Sequence, residues 1–141
     1  MISDELTGIV EKMKAQGKMK FLDGATEVQL SIFEKENKIV LPSKYKEWLQ
    51  FSDGGNCFLP AGVQFYGVAH KPLININDDD RPNETYVVIG ALSTGDPILY
   101  RKSGEQIAIY NHEVGRIEDD EIYNDFFCFL NGLYDLLGIG E

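Results

Sequence analysis

The chain is poor in the residues on which most catalytic and metal sites depend. Its 141 residues include two cysteines and two histidines. Cys57 and Cys128 fit no paired metal-ligand spacing and lie in apolar runs, so we expect packed, free thiols rather than a disulfide. His70 and His112 accompany no nucleophile-elbow sequence, so we expect surface or turn roles for both. The sequence therefore predicts no catalytic residue, no metal site and no cofactor.

Long apolar runs are also absent. No stretch approaches the roughly 18 apolar residues that span a membrane. Residues 1–5 lack the basic region of a signal peptide, so we expect a cytoplasmic protein. With 43% hydrophobic residues, the composition is that of a single globular domain over residues 1–141. A chain of this length can bury one core without help from metals or disulfides.

Positive charge is scarce after residue 50. Residues 1–50 hold eight acidic and eight basic residues, whereas residues 51–141 hold fifteen acidic and five basic, which accounts for the net charge of −10. Such a surface repels nucleic acid and anionic membranes and attracts a basic partner. The alternative is that the acidity serves solubility alone.

Two acidic groups are the candidate contacts with such a basic partner. The first lies in a strongly polar loop and the second lies near the last helix, where we expect it to favour the helix N-terminus. Solvated loops and helix caps are the ordinary alternative for such charge runs. The eight candidate residues are Asp78, Asp79, Asp80 and Glu84, with Glu118, Asp119, Asp120 and Glu121.

The sequence contains start and stop signals for a short helix within residues 41–55. Pro42 suits the first turn, where a missing N–H has no consequence, and Ser43 is placed to cap a helix that starts one residue later. Gly54-Gly55 supplies the left-handed conformation that ends many helices. One face is apolar at i, i+3 and i+4 spacing, with Tyr45, Trp48 and Leu49.

Two further helices precede this one. Ser3 caps a first helix that Gly17 ends. Thr26 and Gln29 have the spacing of a capping box at the start of a second helix. The apolar side of that second helix is expected to comprise Val28, Leu30, Ile32 and Phe33.

Strand-like runs with tight turn signals fill residues 57–117 and predict an antiparallel meander. A last helix is expected over about residues 121–137, capped by Asp119 or Asp120. The fold class is therefore α+β, with N-terminal helices, a central antiparallel sheet of four to six strands, and a C-terminal helix packed on the sheet.

The order of these motifs resembles the SUKH superfamily, also known as the cell-wall-assembly-regulator family. The similarity spans roughly residues 26–137. Asp53 stands where the family usually has Asn, and Asn124-Asp125 replaces a small polar residue. The residues that carry the resemblance are Leu41-Pro42, Tyr45-Lys46, Trp48-Leu49, Gly54-Gly55, Ile89-Gly90, Gly95-Asp96 and the closing Asp125-Phe126-Phe127-x-Phe129-Leu130.

The resemblance implies an α+β fold without catalysis. Bacterial members are similar to immunity proteins that neutralise polymorphic toxins, many of them nucleases, and eukaryotic members are regulatory scaffolds. We therefore expect a monomer or homodimer that binds a basic toxin; a regulatory scaffold module and a small-molecule or enzymatic domain on the sheet's concave face are the alternatives. Seven residues carry over as fold-defining positions only: Leu41, Pro42, Tyr45, Trp48, Leu49, Gly54 and Gly55.

Overall fold

The computed structural model describes residues 3–59, 62–70, 72–77, 79, 81–102 and 104–137, without the side chains of 118–121, 134 and 135. Four helices flank a sheet. The helices are α1 (Asp4–Gln16), α2 (Glu27–Asn37), α3 (Ser43–Phe51) and α4 (Phe126–Leu136). The strands are β1 (Lys18–Lys20), β2 (Gly55–Leu59), β3 (Val63–Phe65), β4 (Tyr86–Leu92), β5 (Pro97–Arg101), β6 (Ile107–Asn111) and β7 (Arg116–Tyr123).

The sheet has seven strands in chain order, from β1 to β7, and every neighbouring pair is antiparallel. The α+β class is thus confirmed, but the strand number exceeds the four to six expected. The three-residue strand β1 has too few residues for a recognisable alternation. Residues 73–76, which lie within the strand-like part of the sequence, contribute only isolated bridges such as Asn75 to Val88.

The predicted starts of α1 and α2 are confirmed. The Ser3 hydroxyl accepts a hydrogen bond from the Leu6 N–H, and Gly17 follows the last turn of α1. Thr26 and Gln29 form the reciprocal capping box. The apolar side predicted for α2 is confirmed for Leu30, which is buried, and for Phe33, which packs against the core, but it is wrong for Val28 and Ile32, which are exposed.

The boundary between the last strand and the last helix also differs from the expectation. Residues 118–121 continue β7 rather than starting a helix, and α4 begins at Phe126. Asp125 caps it, since its carboxylate accepts the Cys128 N–H at 2.8 Å. Asp119 and Asp120 therefore do not cap α4. The run of four acidic residues between Ile117 and Ile122 has no apolar residue at helical spacing, so the prediction of a helix start there rested on charge alone.

The core lies between the helices and the sheet and is rich in aromatic rings. Tyr45 and Trp48 of α3 meet Phe65 of β3 and Phe126 of α4, with ring centroids 4.7 Å apart for Tyr45–Phe126 and 5.5 Å for Trp48–Phe65. These pairs are tilted edge to face, the favoured geometry for aromatic contacts. The structure buries all seven residues expected to define the fold: Leu41, Pro42, Tyr45, Trp48, Leu49, Gly54 and Gly55.

The ends of α3 depend on other segments. Pro42 is the N-cap residue and makes no side-chain cap bond, so the predicted cap by Ser43 is wrong. The carboxylate of Glu105, from the β5–β6 turn, instead accepts the Ser43 N–H and hydroxyl, both at 2.8 Å. Ser52 closes the helix in an extended conformation. Gly54 and Gly55 have φ of 98° and 109°, but they turn the chain into β2 rather than ending α3.

Asp53 joins this turn to the loop after β3. Its carboxylate is fully buried. Oδ1 accepts the Val68 N–H at 2.8 Å, and Oδ2 accepts the Ala69 and His70 N–H groups, each at 2.7 Å. The His70 Nδ1 lies 3.1 Å from Oδ2. Because both oxygens accept backbone donors, an Asn at this position would face at least one N–H group with its own NH₂ group.

We therefore expect Asp53→Asn to lower the free energy of unfolding by roughly 1–3 kcal/mol, the usual range for leaving a buried donor unpaired. Urea denaturation followed by Trp48 fluorescence measures this, because Trp48 is the only tryptophan and is fully buried. Asp23→Asn is the matched control, since Asp23 is exposed on the adjacent segment. Equal stability of the two variants would contradict the role given to the Asp53 carboxylate.

Removing the cap supplied by Glu105 should weaken α3 where it meets the sheet. We expect Glu105→Ala to destabilise the fold by about 1 kcal/mol, the typical value for a lost helix N-cap. The neighbouring Gln106→Ala is the control, because Gln106 is exposed and lies outside the cap. A shift in urea midpoint of the same size in both variants would show that the Glu105 contacts do not stabilise α3.

Candidate functional site

The first acidic group lies in the polar loop that leads into β4. Asp79 and Glu84 are exposed there, whereas Asp78 and Asp80 lie outside the described residues. Local hydrogen bonds shape the loop. The Asn83 side chain accepts the Thr85 N–H at 2.8 Å, and the Asp79 carbonyl accepts the Arg81 N–H at 2.8 Å. The loop thus presents the Asp79 and Glu84 carboxylates to solvent on a turn held by its own local hydrogen bonds.

Basic residues lie at the same end of the sheet as this loop. The Arg81 guanidinium donates to the Tyr86 carbonyl at 2.9 Å, and the Lys102 N–H donates to the Thr85 carbonyl at 2.8 Å. Arg101 is paired with Tyr86 across the β4–β5 ladder. Three of the five basic residues after residue 50 therefore lie beside the loop. The chain order hides this, because only strand pairing brings Arg101 and Lys102 to this loop.

The second acidic group occupies the terminal strand of the sheet. Ile117 pairs with Tyr110 and Ile122 pairs with Ala108. Residues 118–121 therefore lie opposite a single residue, Ile109, and form a wide bulge in β7. Bulges and charged residues are common on edge strands, where they oppose unwanted pairing with other chains. The four consecutive carboxylates Glu118, Asp119, Asp120 and Glu121 belong to this bulged strand.

The structure does not merge the two acidic groups into one cluster. The loop enters β4, and two strands, β5 and β6, lie between β4 and β7. Three strand spacings correspond to roughly 14 Å measured across the sheet. A partner would need a broad surface to contact both groups. Of the two, the β7 group has the more uniform charge in sequence, with Arg116 at its start as the only basic residue between 103 and 141.

An ion pair lies at the junction between β7 and α4. The Lys44 Nζ is 3.1 Å from the Asp125 carboxylate and 5.1 Å from the centre of the Phe127 ring. Partial burial opposes ionisation of Asp125, but the Cys128 N–H and the Lys44 ammonium outweigh it and hold the pKa of Asp125 below its usual value. The hydrogen bond to Asp125 raises the pKa of Lys44. This pair ties α3 to the N-terminus of α4.

The histidines take the turn roles expected of them. His70 contacts the buried Asp53, and the ring of His112 contacts the Asp96 carboxylate between two hairpin turns. Burial raises the pKa of the Cys57 thiol to about 12, which keeps it unreactive. Cys128 is exposed rather than packed, so that expectation is wrong, although both thiols are free as expected.

Grooves on the described surface are open rather than enclosed. A hollow of about 200 Å³ beside β2, β3 and the end of β4 is lined by residues that include Asn56, Gln64 and Ser93. Larger hollows of about 360 and 320 Å³ border α2 near Glu34. Within the described residues, no three His, Cys, Asp or Glu side chains converge as metal ligands. No helix in the described ranges has the length and apolarity needed to cross a bilayer.

The sequence did not reveal several polar side chains that the structure places at important contacts. Glu34 accepts the Leu41 N–H at 2.7 Å and lies 3.4 Å from the Lys46 ammonium. Glu47 accepts the Ser3 hydroxyl at 2.6 Å. These carboxylates act on segments distant in the sequence, so no local motif marks them. Only the i, i+3 spacing of Asp125 to Cys128 was a usable signal, as a helix N-cap.

The Asp125 contacts should make stability depend on pH in a defined direction. The pKa of Asp125 is lower in the folded protein than its ordinary value of 3.8, so its stabilisation is present above pH ~4 and disappears as pH falls through the folded pKa. We expect wild type to be more stable than Asp125→Asn at pH 7 and the difference to shrink as the pH falls below the ordinary carboxyl pKa of 3.8, as measured by urea denaturation. A difference that stays constant over this range would exclude the ionised form as the source.

Comparison with known proteins agrees with the motif order. The model of the SMI1 / KNR4 family (SUKH-1) matches residues 24–132, a range that runs from the connector before α2 into α4. No curated protein matches the chain. The matched range contains the whole of α2 and α3, the whole meander from β2 to β7 and most of α4. Because it covers well over half of the sequence, the chain belongs to the SMI1/KNR4 (SUKH-1) family.

Proposed function

We propose that the protein is a non-catalytic immunity protein that binds a basic toxin domain, such as a nuclease, and blocks its active cleft. The observation that carries the proposal is the terminal strand β7, with its four consecutive carboxylates in a bulge at the edge of the sheet. A nuclease holds phosphates with Lys and Arg. The acidic edge strand carries negative charge, as the nucleic acid does, and can therefore bind in the same basic cleft.

Three observations favour binding over catalysis. The Cys57 thiol is buried with its pKa raised to about 12, both histidines serve turns, and the described grooves are open. An enzyme of this size would ordinarily need a concave pocket with converging polar groups. Membership of the SUKH-1 family supports a protein-binding role, because the family includes immunity-type proteins.

The affinity for the toxin should depend on β7 more than on the loop before β4. Arg81, Arg101 and Lys102 lie in or beside the loop, whereas Arg116 is the one basic residue that accompanies the four β7 carboxylates in sequence. Asp79 and Glu84, with Asp78 and Asp80, are therefore proposed as secondary contacts. Glu118, Asp119, Asp120 and Glu121 are proposed as the primary contacts, which steer the partner during association.

Charge reversal on β7 tests this proposal. For Asp119→Lys/Asp120→Lys we expect association with the toxin domain encoded beside the gene to slow at least about tenfold at low salt, because steering depends on local charge. Glu5→Lys/Glu11→Lys on α1 is the control, since both residues are exposed and the change in net charge is the same. Surface plasmon resonance at two ionic strengths measures the rates, and salt should reduce the difference by screening.

Survival of bacteria that co-express the toxin is the functional readout. Wild type and the α1 control should protect, and the β7 variant should protect less. If wild type fails to protect and fails to bind the adjacent toxin, the immunity role is wrong. The absence of a toxin gene beside this one, with binding to another cellular protein, would favour the alternative role of a regulatory scaffold.

A further inference from the structure

The hydroxyl of Tyr100 is buried without a hydrogen-bond partner. Tyr100 lies on β5, is fully buried and belongs to the core between the sheet and the helices. Within the described residues, its hydroxyl is the one buried side-chain oxygen or nitrogen that makes no hydrogen bond. Burial raises the pKa of Tyr100, and the charge of Glu34 raises it further, so the hydroxyl remains a donor. Buried polar groups nearly always have a partner, so this hydroxyl is a candidate contact for a ligand with an acceptor atom.

A hollow of about 320 Å³ lies beside Tyr100. Its lining residues are Glu34, Lys38, Ile39, Val40 and Lys102. Lys102 follows Tyr100 by two residues, and its N–H continues the ladder to β4 by donating to the Thr85 carbonyl at 2.8 Å. Alternate residues along a strand share a face, so Tyr100 and Lys102 lie on the same side of the sheet. Glu34 acts on Tyr100 from the opposite side, so residues that line the hollow flank the buried hydroxyl along β5 and across from it.

The free polar groups of the hollow are hydrogen-bond donors. No ion pair within the described residues includes Lys38 or Lys102. Glu34 is the one carboxylate in the lining, and it is already engaged, because it accepts the Leu41 N–H at 2.7 Å and lies 3.4 Å from the Lys46 ammonium. Two ammonium groups and the Tyr100 hydroxyl therefore remain, and this donor set suits an anion with at least two acceptor oxygens.

The remaining wall is apolar and is held in place by Glu34. Val40 is 71% exposed and Ile39 is half-buried. The Glu34 carbonyl accepts the N–H groups of Lys38 and Ile39, and its carboxylate accepts that of Leu41. A second hollow, of about 280 Å³, begins on the other side of Val40. The exposed Val40 side chain therefore offers an aliphatic contact on a wall whose backbone is fixed.

We propose that this hollow binds a small aliphatic carboxylate. The carboxylate lies between the Lys38 and Lys102 ammonium groups and accepts from the Tyr100 hydroxyl, while the aliphatic chain lies along Val40. The volume of about 320 Å³ is at the low end of the roughly 300–1,000 Å³ of ligand pockets, so the ligand is small. Because the hollow is open, the dissociation constant is on the order of 1 mM.

The site does not depend on the proposed function. None of the eight acidic candidate residues lines the hollow, and the ligand has the charge opposite to that of a basic toxin surface. Loss of toxin binding would therefore leave carboxylate binding unchanged, and loss of carboxylate binding would leave the immunity role unchanged.

Chemical-shift titration of the backbone amides tests the site. With sodium hexanoate up to about 20 mM at constant ionic strength, we expect saturable shifts centred on Lys38, Val40 and Lys102. Hexylammonium chloride has a chain of similar length and the opposite charge, so the two lysines should repel it and its shifts should not saturate. Absent or linear shifts with hexanoate, or equal saturation with both probes, would overturn the proposal.

Removing the two charges distinguishes the hollow from general attraction to the protein. Lys38→Gln/Lys102→Gln should weaken hexanoate binding at least about fivefold, the size expected for two exposed charge contacts. Lys12→Gln/Lys18→Gln is the matched control, because both residues are exposed, lie outside the hollow and change the net charge equally. The control should bind like wild type, and an equal loss in both double variants would contradict the site.

Tyr100→Phe tests the hydroxyl separately. In the free protein the hydroxyl has no partner, so the variant should have the same urea midpoint as wild type or a higher one. Hexanoate should bind to it at least about tenfold more weakly, because a hydrogen bond to a charged acceptor is lost. A destabilised variant that binds hexanoate as tightly as wild type would show that the hydroxyl serves the fold and would contradict its place in the site.

Discussion

The buried carboxylate of Asp53 connects the three parts on which the fold depends. It follows α3 directly, its backbone N–H donates to the Asp23 carbonyl at 3.1 Å, and its side chain accepts three consecutive N–H groups of residues 68–70. A buried ion of this kind is stable only when its lone pairs are satisfied, and here backbone donors satisfy them. The connector before α2, the end of α3 and the loop after β3 are therefore held by one residue.

Hydrogen bonds from the aromatic core reach the same two segments, the turn after α3 and the loop after β3. Trp48 donates to the Gly54 carbonyl at 3.0 Å, and the Tyr45 hydroxyl donates to the Tyr66 carbonyl at 2.6 Å. Burial, with a contribution from the Asp53 charge, raises the pKa of Tyr45 well above its ordinary value, so the hydroxyl remains a donor. Ring packing thus supplies the apolar burial, while these directed bonds fix which way α3 faces the sheet. Segment 41–55 is structural, and we propose the partner surface elsewhere.

Acidic residues divide into structural and exposed groups, and net charge does not distinguish them. Glu34, Glu47, Glu105 and Asp125 each accept hydrogen bonds that join separate segments. The helix dipole also stabilises a negatively charged acceptor at the start of a helix, as it does for Glu105 at α3. The net charge of −10 consequently overstates the charge offered to a partner. The bulged strand β7 and the loop before β4 are the two groups that form runs in the sequence.

Local pattern was sufficient for most of the architecture. The capping box of α2, the Ser3 cap, the apolar face of α3 and the antiparallel meander follow from short-range spacing, so they could be predicted. The assignment failed where a residue acts on a distant one. Residues 118–121 look like a helix start because acids favour helix N-termini, but the flanking Ile117 and Ile122 pair with β6 and so place them in β7. Likewise, the sequence shows that Val28 and Ile32 are apolar residues of a helix, but it does not show that they lie on the side opposite Leu30.

The sequence by itself determined the α+β class, the three helices before the sheet and the one after it, and the family, because each of these depends on neighbouring residues and on motif order. Tertiary structure alone decided that Asp53 binds the loop 68–70, that Glu105 caps α3, and that Arg101 and Lys102 lie beside the loop before β4. It also left Val28 and Ile32 of α2 exposed. These features arise from contacts between segments far apart in the chain, and residue type and spacing do not encode which distant partner each polar group meets.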